Sequence, residues 1–350
     1  RQLTGEATMR QAVLVFLFAC TAASLAAQDK VNDPTNEKAQ KTYKEALEDV
    51  HQRMYAAALE AFKKADKQDG SHCGACQQKI IKYGVELHDW KSVEAAAQEA
   101  VADAQDKRST ALAHYQLGLV WIQEGLEKHK DELFARAHDE MTQALTVYPA
   151  FPDAIFVDGQ TLARLKQDDA AKAQFERFVK MAPPDDPNRQ RAMRFITEPD
   201  MARARMAPAF GITTMDGQNI SIDDMKGKVV LIDFWATWCG PCREALPHMK
   251  EIAKRFQGQP LVVISVSLDS DEQKWKDFVA KNEMTWLQCR DGGFTGPVSR
   301  LFGVQAIPQT FTIDADGVLQ DEKIGDASIG KLKKLVARAS ELQTTAKPAQ

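Results

Sequence analysis

The fold of the C-terminal half is decided by the stretch VVLIDFWATWCGPC, residues 229–242. It opens with a nearly continuous apolar run, Val229 to Trp235, which is typical of a buried central strand. A helix-like stretch, Arg243 to Phe256, follows the motif directly. Cys239 and Cys242 stand between strand and helix at C-x-x-C spacing, which is typical of thiol–disulfide exchange. The motif therefore predicts a reaction class, but it does not identify the molecule on which the chain acts.

Turn signals and apolar runs around this motif predict an α/β domain. Asp216-Gly217 and Asp316-Gly317 each separate two short strand-like segments, which indicates two β-hairpins. Pro247 interrupts the helix after the motif and predicts a kink there. The remaining elements are one strand, Leu261 to Ser267, and two helices, Asp271 to Lys281 and Ile329 to Leu342. The predicted order is β-hairpin, β-α-β, helix, β-hairpin, helix.

Length and composition indicate a globular protein with more than one domain. A chain of 350 residues is too long for one typical domain. Charged residues make up 27% and hydrophobic residues 44%, which is ordinary for folded proteins. The net charge of −4, without any basic block, argues against a nucleic-acid partner.

The first 27 residues read as upstream residues followed by a secretory signal peptide. Met9 is a better start than Arg1, and a short apolar core, Ala12 to Ala19, precedes small residues suited to cleavage after Ala26 or Ala27. We therefore expect an exported, periplasmic protein, in which residues 28–36 form a linker. Two alternatives remain open, an uncleaved membrane anchor and lipidation at Cys20.

Residues 37–183 lack strand-like alternation and carry a helical repeat. Small, aromatic and helix-breaking residues recur at common offsets, and the first two blocks are 35 residues apart while the last two are 34 apart. The positions are Ala58, Phe62, Ala65 and Gly70; Val93, Ala97 and Ala100; Ala137, Met141, Ala144 and Pro149; and Ala171, Phe175, Phe178 and Pro183. The pattern resembles the tetratricopeptide (TPR) repeat, with an insertion at Glu127 to Glu132 in the third unit. It predicts an all-α solenoid whose groove receives a protein partner; a plain helical bundle without a ligand is the alternative.

A second C-x-x-C pair, Cys73 and Cys76, stands at the start of the second repeat unit. In an exported protein a local structural disulfide or two inert thiols is the simplest interpretation. A second redox centre is the alternative. His72 and His88 lie nearby, but their spacing is irregular for zinc, so the sequence predicts no metal.

Residues 184–206 are predicted to form a linker after the array. Prolines at 183, 184 and 187 end the last repeat. Asn188 to Met206 looks like one connecting helix, and a new pattern begins at Ala207. We expect an α/β domain over residues 207–345 and a short tail over 346–350.

Several further motifs resemble the exported thioredoxins of the TlpA/ResA type. They are Ala207-Pro208-Ala209-Phe210, Lys226-Gly227-Lys228-Val229-Val230, Phe234 to Cys239, and Val304 to Thr310. The resemblance implies a thioredoxin-like fold for the C-terminal two-fifths of the chain and a thiol:disulfide oxidoreductase activity. It also implies protein clients with disulfides, and a membrane thiol transporter as electron donor. We expect no cofactor other than the redox-active disulfide between Cys239 and Cys242.

Site roles follow from the motif and from this resemblance. We expect Cys239 to be the exposed attacking thiol at a helix N-terminus, which favours a thiolate, and Cys242 to be the more buried resolving thiol. The resemblance implies that Asp233, in its apolar strand, accepts the proton of Cys242. It also implies a cis-proline that faces the disulfide. The residues expected to contact the client are Trp238, Gly240, Pro241, Ile307 and Pro308.

Two departures favour an ordinary reducing thioredoxin. The ResA-like subgroup often has Asn where this chain has Asp233, and Glu where it has Ala245. One alternative is a peroxide reductase of the peroxiredoxin (AhpC/TSA) type, which has Thr three residues before its reactive Cys. Here Thr237 lies two residues before Cys239, without the expected proline. The other alternative is a non-enzymatic TPR scaffold. Cys289 is predicted to be a semi-buried free thiol.

Overall fold

The computed structural model describes residues 32–186, 188–324 and 327–345. The predicted signal peptide and the predicted tail therefore lie outside the described residues. Two compact units are present: a helical unit that includes residues 32–183 and 192–203, and an α/β unit that includes the described residues from 204 onward. Among the described residues, no helix combines the length and the apolar character needed to cross a bilayer.

Eight consecutive helices make up the main part of the helical unit. They are α1 (Glu37–His51), α2 (Tyr55–Gln68), α3 (Gly74–Glu86), α4 (Trp90–Asp103), α5 (Lys107–Lys128), α6 (Asp131–Val147), α7 (Pro152–Arg164) and α8 (Asp168–Met181). Each packs against the next, as expected of stacked helix pairs. The predicted insertion, Glu127 to Glu132, covers the last residues of α5, a turn in which His129 adopts the left-handed conformation, and the first residues of α6.

The predicted repeat is visible in the packing. Its small and aromatic positions fall on α2, α4, α6 and α8, and all but Ala100 are buried. Glycines on α3, α5 and α7 lie opposite these helices, so close that a Cβ would meet a neighbouring side chain. Such a Cβ would lie 2.6 Å from Val93 at Gly84, 2.6 Å from Met141 at Gly118, and 2.7 Å from Phe175 at Gly159. The sequence repeat is therefore a repeat of close helix crossings, and the unit is a TPR-like array.

The prediction of a single connecting helix over Asn188 to Met206 was wrong. Two helices occupy this segment, α9 (Arg189–Thr197) and α10 (Pro199–Arg203). Pro199 lacks the N–H that would continue α9, so the chain ends one helix and begins another.

The α/β unit contains a small hairpin and a mixed five-stranded sheet. Its elements are β1 (Gly211–Thr213), β2 (Asn219–Ser221), a 3₁₀ turn (Ile222–Met225), β3 (Val229–Trp235), α11 (Gly240–Arg255), β4 (Leu261–Ser267), α12 (Glu272–Lys281), β5 (Leu287–Arg290), α13 (Pro297–Leu301), β6 (Gln309–Ile313), β7 (Leu319–Ile324) and α14 (Ile329–Thr345). The strand order is β5-β4-β3-β6-β7, with β3, β4 and β5 parallel and β6 and β7 antiparallel to their neighbours. Both predicted hairpins form, whereas β5 and α13 were not predicted.

Strand β3 is the centre of this unit, and all seven of its residues are buried. From Val229 to Ile232 its side chains alternate between two apolar clusters, because successive residues of a strand point to opposite faces. Val230, Ile232 and Phe234 join one cluster, while Val229 and Leu231 join the other. Trp235, at the end of β3, also joins the first cluster, so apolar packing extends to the start of the following turn.

Candidate active site

The C-x-x-C turn lies where β3 gives way to α11. Cys239 is the N-cap of α11 and Cys242 lies in its first turn, and the two form a disulfide. The backbone N–H of Cys242 donates a hydrogen bond to the Cys239 sulfur at 3.1 Å. Pro241 fits the first turn, because a proline there removes no helical hydrogen bond. The positive end of the helix is thereby directed at Cys239.

The exposure of the two cysteines differs from the prediction. Cys239 was expected to be exposed and Cys242 more buried, but both are 6% exposed. The disulfide explains the difference, because it draws the Cys239 sulfur in against Cys242 and the first turn of α11. Trp238 is 56% exposed and is the large apolar side chain presented at this turn.

A buried carboxylate, Asp269, holds the residues just before the cysteines. It accepts hydrogen bonds from the backbone N–H of Thr237 at 2.9 Å and from the Thr237 hydroxyl at 2.6 Å. The Ser267 hydroxyl donates to it at 2.7 Å. Asp269 was not predicted as part of the site, because only the folded sheet brings the end of β4 beside the turn after β3. It acts as a positioning residue for Trp238 and Cys239.

The segment before β6 faces the disulfide. The peptide bond between Ile307 and Pro308 is cis, as the resemblance implied. The carbonyl oxygen of Ile307 lies 3.8 Å from the Cys239 sulfur. Beside the cysteines, Gly240 has open space where a side chain would begin. A backbone oxygen and an uncrowded helix start therefore flank the reactive sulfur.

Asp233 occupies the middle of β3 and is buried rather than facing solvent. The hydroxyl of Ser265, its partner on β4, donates a hydrogen bond to Asp233 Oδ2 at 3.2 Å. Ser265 in turn accepts a hydrogen bond from the Trp286 indole at 2.8 Å. The carboxylate is thus held in place under the C-x-x-C turn.

Asp233 and Cys242 line the same small cavity, together with Pro308 and Thr310. The cavity is small, with room for about one water molecule. The arrangement therefore allows a proton to pass between the buried carboxylate and the second cysteine.

Comparison with known proteins identifies the family. The AhpC/TSA family profile matches residues 204–322. Thiol-disulfide oxidoreductase ResA of Bacillus thuringiensis subsp. konkukian is 30% identical over 144 residues, which are 41% of this chain and 82% of that protein. This chain belongs to the ResA-type thiol-disulfide oxidoreductases. The thioredoxin-like protein YneN of Bacillus subtilis is 33% identical over 37% of this chain and 75% of its own length. A crystal structure described as a putative thiol:disulfide interchange protein DsbE from Chlorobium tepidum has 30% identity, covers 39% of this chain and 96% of that chain, and has a TM-score of 0.34.

This thiol-disulfide oxidoreductase also holds a free cysteine in its sheet. Cys289 lies on β5 and is fully buried, not semi-buried as predicted. Burial, with a smaller contribution from Asp216, raises the pKa of its thiol to about 12. The thiol is therefore held protonated, unlike a thiol that must attack a disulfide.

The second C-x-x-C pair is also a disulfide across the start of a helix. Cys73 is the N-cap of α3, and the N–H of Cys76 donates to its sulfur at 3.1 Å. Both cysteines are 0% exposed. His72 and His88, considered as zinc ligands, contact Asp103 at 2.6 Å and Glu127 at 2.8 Å respectively. The carboxylate of Asp66, which was not predicted, lies beside the two sulfurs instead.

Proposed function

We propose that this oxidoreductase reduces disulfides in client proteins through the Cys239 and Cys242 dithiol. The observation that carries the proposal is the position of the Cys239 sulfur. It lies at the N-terminus of α11, beside the exposed Trp238 and 3.8 Å from the Ile307 carbonyl. Gly240-Pro241 and Asp233, through the resemblance to ordinary thioredoxins, favour the reducing direction. No cofactor beyond the two thiols enters the reaction.

The first step is attack by the Cys239 thiolate on a client disulfide. The helix end and the N–H of Cys242 stabilise the negative charge on the sulfur. A bond forms between Cys239 and one client sulfur, while the other client sulfur leaves as a thiolate and takes up a proton. The product is a mixed disulfide.

The second step is release of the client by Cys242. Its thiol passes a proton through the shared cavity to Asp233 and then attacks the Cys239 sulfur. The Cys239–Cys242 disulfide forms, the second client sulfur leaves, and two electrons have moved to the client. The hydrogen bond from Ser265 keeps the receiving carboxylate in place.

Client binding uses the surfaces that flank the sulfur. An extended client segment pairs with the backbone at Ile307 before the cis-proline, as a short β-strand addition. Trp238 covers one side of the client disulfide, while the open space at Gly240 and Pro241 admits the client chain. This mode suits extended peptide segments better than small disulfides.

Export and partner docking complete the proposal. The predicted signal peptide directs the chain to the periplasm, and the two C-x-x-C disulfides suit a compartment where disulfides persist. A membrane thiol transporter then returns electrons to Cys239 and Cys242. The TPR-like array docks a protein partner or client in its groove.

The test is insulin-disulfide reduction with a dithiol as electron source. Cys239→Ser abolishes catalysis, while Cys289→Ser, which removes a cysteine outside the mechanism, leaves the rate unchanged. Activity retained by Cys239→Ser overturns the proposal. Failure of Cys239 and Cys242 to cycle between oxidised and reduced states favours a non-enzymatic scaffold.

Peroxide reduction is the second candidate, because the AhpC/TSA family profile matches residues 204–322. A peroxidase of that type needs a free threonine hydroxyl near its reactive thiol. The Thr237 hydroxyl is committed to Asp269 at 2.6 Å and is buried. We therefore expect peroxide consumption at the background rate when the reduced protein is the only thiol source, and rapid consumption would favour the peroxidase.

A further inference from the structure

Three buried donor groups lie together where α2 meets α3. The carboxylate of Asp66 and the sulfurs of Cys73 and Cys76 have ligand atoms within 4.8 Å of one another. Among the described residues, this is the one group of three such side chains with a spacing that suits a metal ion. It lies in the helical unit and has no part in the proposed disulfide reduction.

Backbone N–H groups donate hydrogen bonds to two of the three donors, Asp66 and the Cys73 sulfur. Asp66 lies near the end of α2, and its Oδ1 accepts a hydrogen bond from the Cys73 N–H at 3.2 Å. The N–H of Cys76 donates to the Cys73 sulfur at 3.1 Å. Both sulfurs lie at the positive end of α3, which favours thiolates over thiols once the disulfide is open. Once the disulfide is open, the site thus provides two sulfur donors and one carboxylate at low solvent exposure.

We propose that reduced Cys73 and Cys76, together with Asp66, form a site for one thiophilic divalent cation of the Zn²⁺ type. A C-x-x-C pair supplies two ligands of a tetrahedral zinc site, and a carboxylate oxygen is an accepted further ligand. Glu99, whose carboxyl group interacts with that of Asp66, either orients that carboxylate or supplies the fourth ligand. The oxidised pair cannot bind the cation, because its sulfurs are bonded to each other.

The exchange between the two forms balances with a dithiol reductant. The dithiol gives two electrons and two protons to the Cys73–Cys76 disulfide and itself becomes a disulfide. Cation binding then displaces the two thiol protons. Re-oxidation is the reverse exchange: a small-molecule disulfide takes two electrons from Cys73 and Cys76 and becomes a dithiol, the Cys73–Cys76 bond forms and the cation is released. The state of the site therefore follows the ratio of dithiol to disulfide around it.

Burial is the reason to assign a cation rather than a protein client. Both cysteines are 0% exposed and pack against Ala65, Ala75 and Tyr43. The N–H of Ala75, within the motif, donates to the Asn32 carbonyl at 3.1 Å, which ties the preceding chain to this turn. A protein disulfide needs a wide approach to a sulfur atom, whereas a single ion needs only a brief local opening.

The test is Co²⁺ and Zn²⁺ binding to the full chain carrying Cys239→Ser and Cys242→Ser, fully reduced. We expect the absorption bands of tetrahedral cobalt–thiolate coordination, displaced by Zn²⁺ and absent from the oxidised protein. In this background Cys76→Ser and Asp66→Asn each weaken binding at least about 10-fold. Cys289→Ser and Glu60→Gln, which change a distant thiol and another α2 carboxylate, leave binding unchanged.

Two results would overturn the proposed cation site. If thiol counting finds Cys73 and Cys76 reduced but cobalt binds no tighter than to Cys76→Ser, the pair is a structural disulfide only and the proposal is overturned. Thermal unfolding of the reduced background with and without Zn²⁺ guards against misfolded variants. The proposal expects Zn²⁺ to raise the melting temperature of the helical unit, and no change overturns it.

Discussion

Cys73–Cys76 and Cys239–Cys242 are disulfides built on the same local design. In each, the first cysteine caps a helix and its sulfur accepts a 3.1 Å hydrogen bond from the N–H of the second. Each pair also has a buried carboxylate near it, Asp66 in the helical unit and Asp233 in the α/β unit.

Their surroundings differ. Both cysteines of the first pair are 0% exposed and pack against Tyr43 and two alanines. The second is 6% exposed and stands next to Trp238, the cis-proline and the Ile307 carbonyl. A helix-capping C-x-x-C motif therefore sets thiol chemistry, while access and a backbone to pair with determine whether a protein client can use it.

The largest expected difference among the thiols is between Cys239 and Cys289. In the reduced protein at pH 8, we expect iodoacetamide to react with Cys289 at least about 10³-fold more slowly, because thioredoxin-type thiols ionise near pH 7. The pKa of Cys289 is raised to about 12 by burial, so its reactive thiolate is scarce and becomes more abundant as pH rises. Mass spectrometry of alkylated peptides over time gives both rates, and similar rates would refute the assignment.

Limited reduction separates the two disulfides directly. Under a brief dithiol pulse, we expect Cys239–Cys242 to open about 10²-fold faster than Cys73–Cys76, since reaching the sealed sulfurs first needs a local opening of about 3 kcal/mol. Differential alkylation before and after the pulse measures the two rates. In denaturant the rates should converge, which is the control; equal rates in the native protein would break the comparison.

Removing the carboxylate under the active turn tests its role as proton acceptor. Asp233→Asn should slow insulin reduction by about 10²-fold, the low end of general acid–base effects, because the amide cannot accept the proton of Cys242. The slower step should be release of the mixed disulfide, visible as its accumulation. Asp277→Asn, an exposed carboxylate on α12, is the control. A rate within twofold of the parent for Asp233→Asn would remove the residue from the mechanism.

The smallest expected effect concerns the helical unit alone. Gly159→Ala places a Cβ 2.7 Å from the Phe175 ring, and we expect a net loss of about 1–2 kcal/mol in unfolding free energy from overpacking. Gly118→Ala at the matched crossing meets the flexible end of Met141 and should cost less. Denaturant unfolding measures both, and insulin reduction should be unchanged. A greater loss for Gly118→Ala would argue against this packing.

Much of the architecture could be predicted because it rests on local patterns. Three patterns predict their structure from a few neighbouring residues. They are the apolar run at Val229 to Trp235, the two Asp-Gly turns, and the repeat of alanine and phenylalanine. Strand β5 could not, since Leu287–Arg290 spans only four residues and depends on pairing with β4. The prediction of one helix over Asn188 to Met206 was wrong because Pro199 ends the first helix, and the pattern of helix-forming residues on either side hides this break.

The site was predictable only in part, for a related reason. Short sequence motifs identify Cys239, Cys242 and Pro308. Asp269 and Asp66 lie near their cysteines only through tertiary contacts, which the sequence does not show. The low exposure of Cys239 follows from its bond to Cys242, which spacing alone does not reveal.

The central claim is that clients bond to Cys239 and not to the other C-x-x-C pair. The most direct measurement is a trap: Cys242→Ala is reduced, freed of reductant and mixed with oxidised insulin, and mass spectrometry maps the intermolecular disulfides. The account predicts insulin linked to Cys239 alone. It also predicts that no adduct forms in the double variant that carries both Cys242→Ala and Cys239→Ser. Insulin linked to Cys73 or Cys76, or an undiminished yield without Cys239, would contradict it.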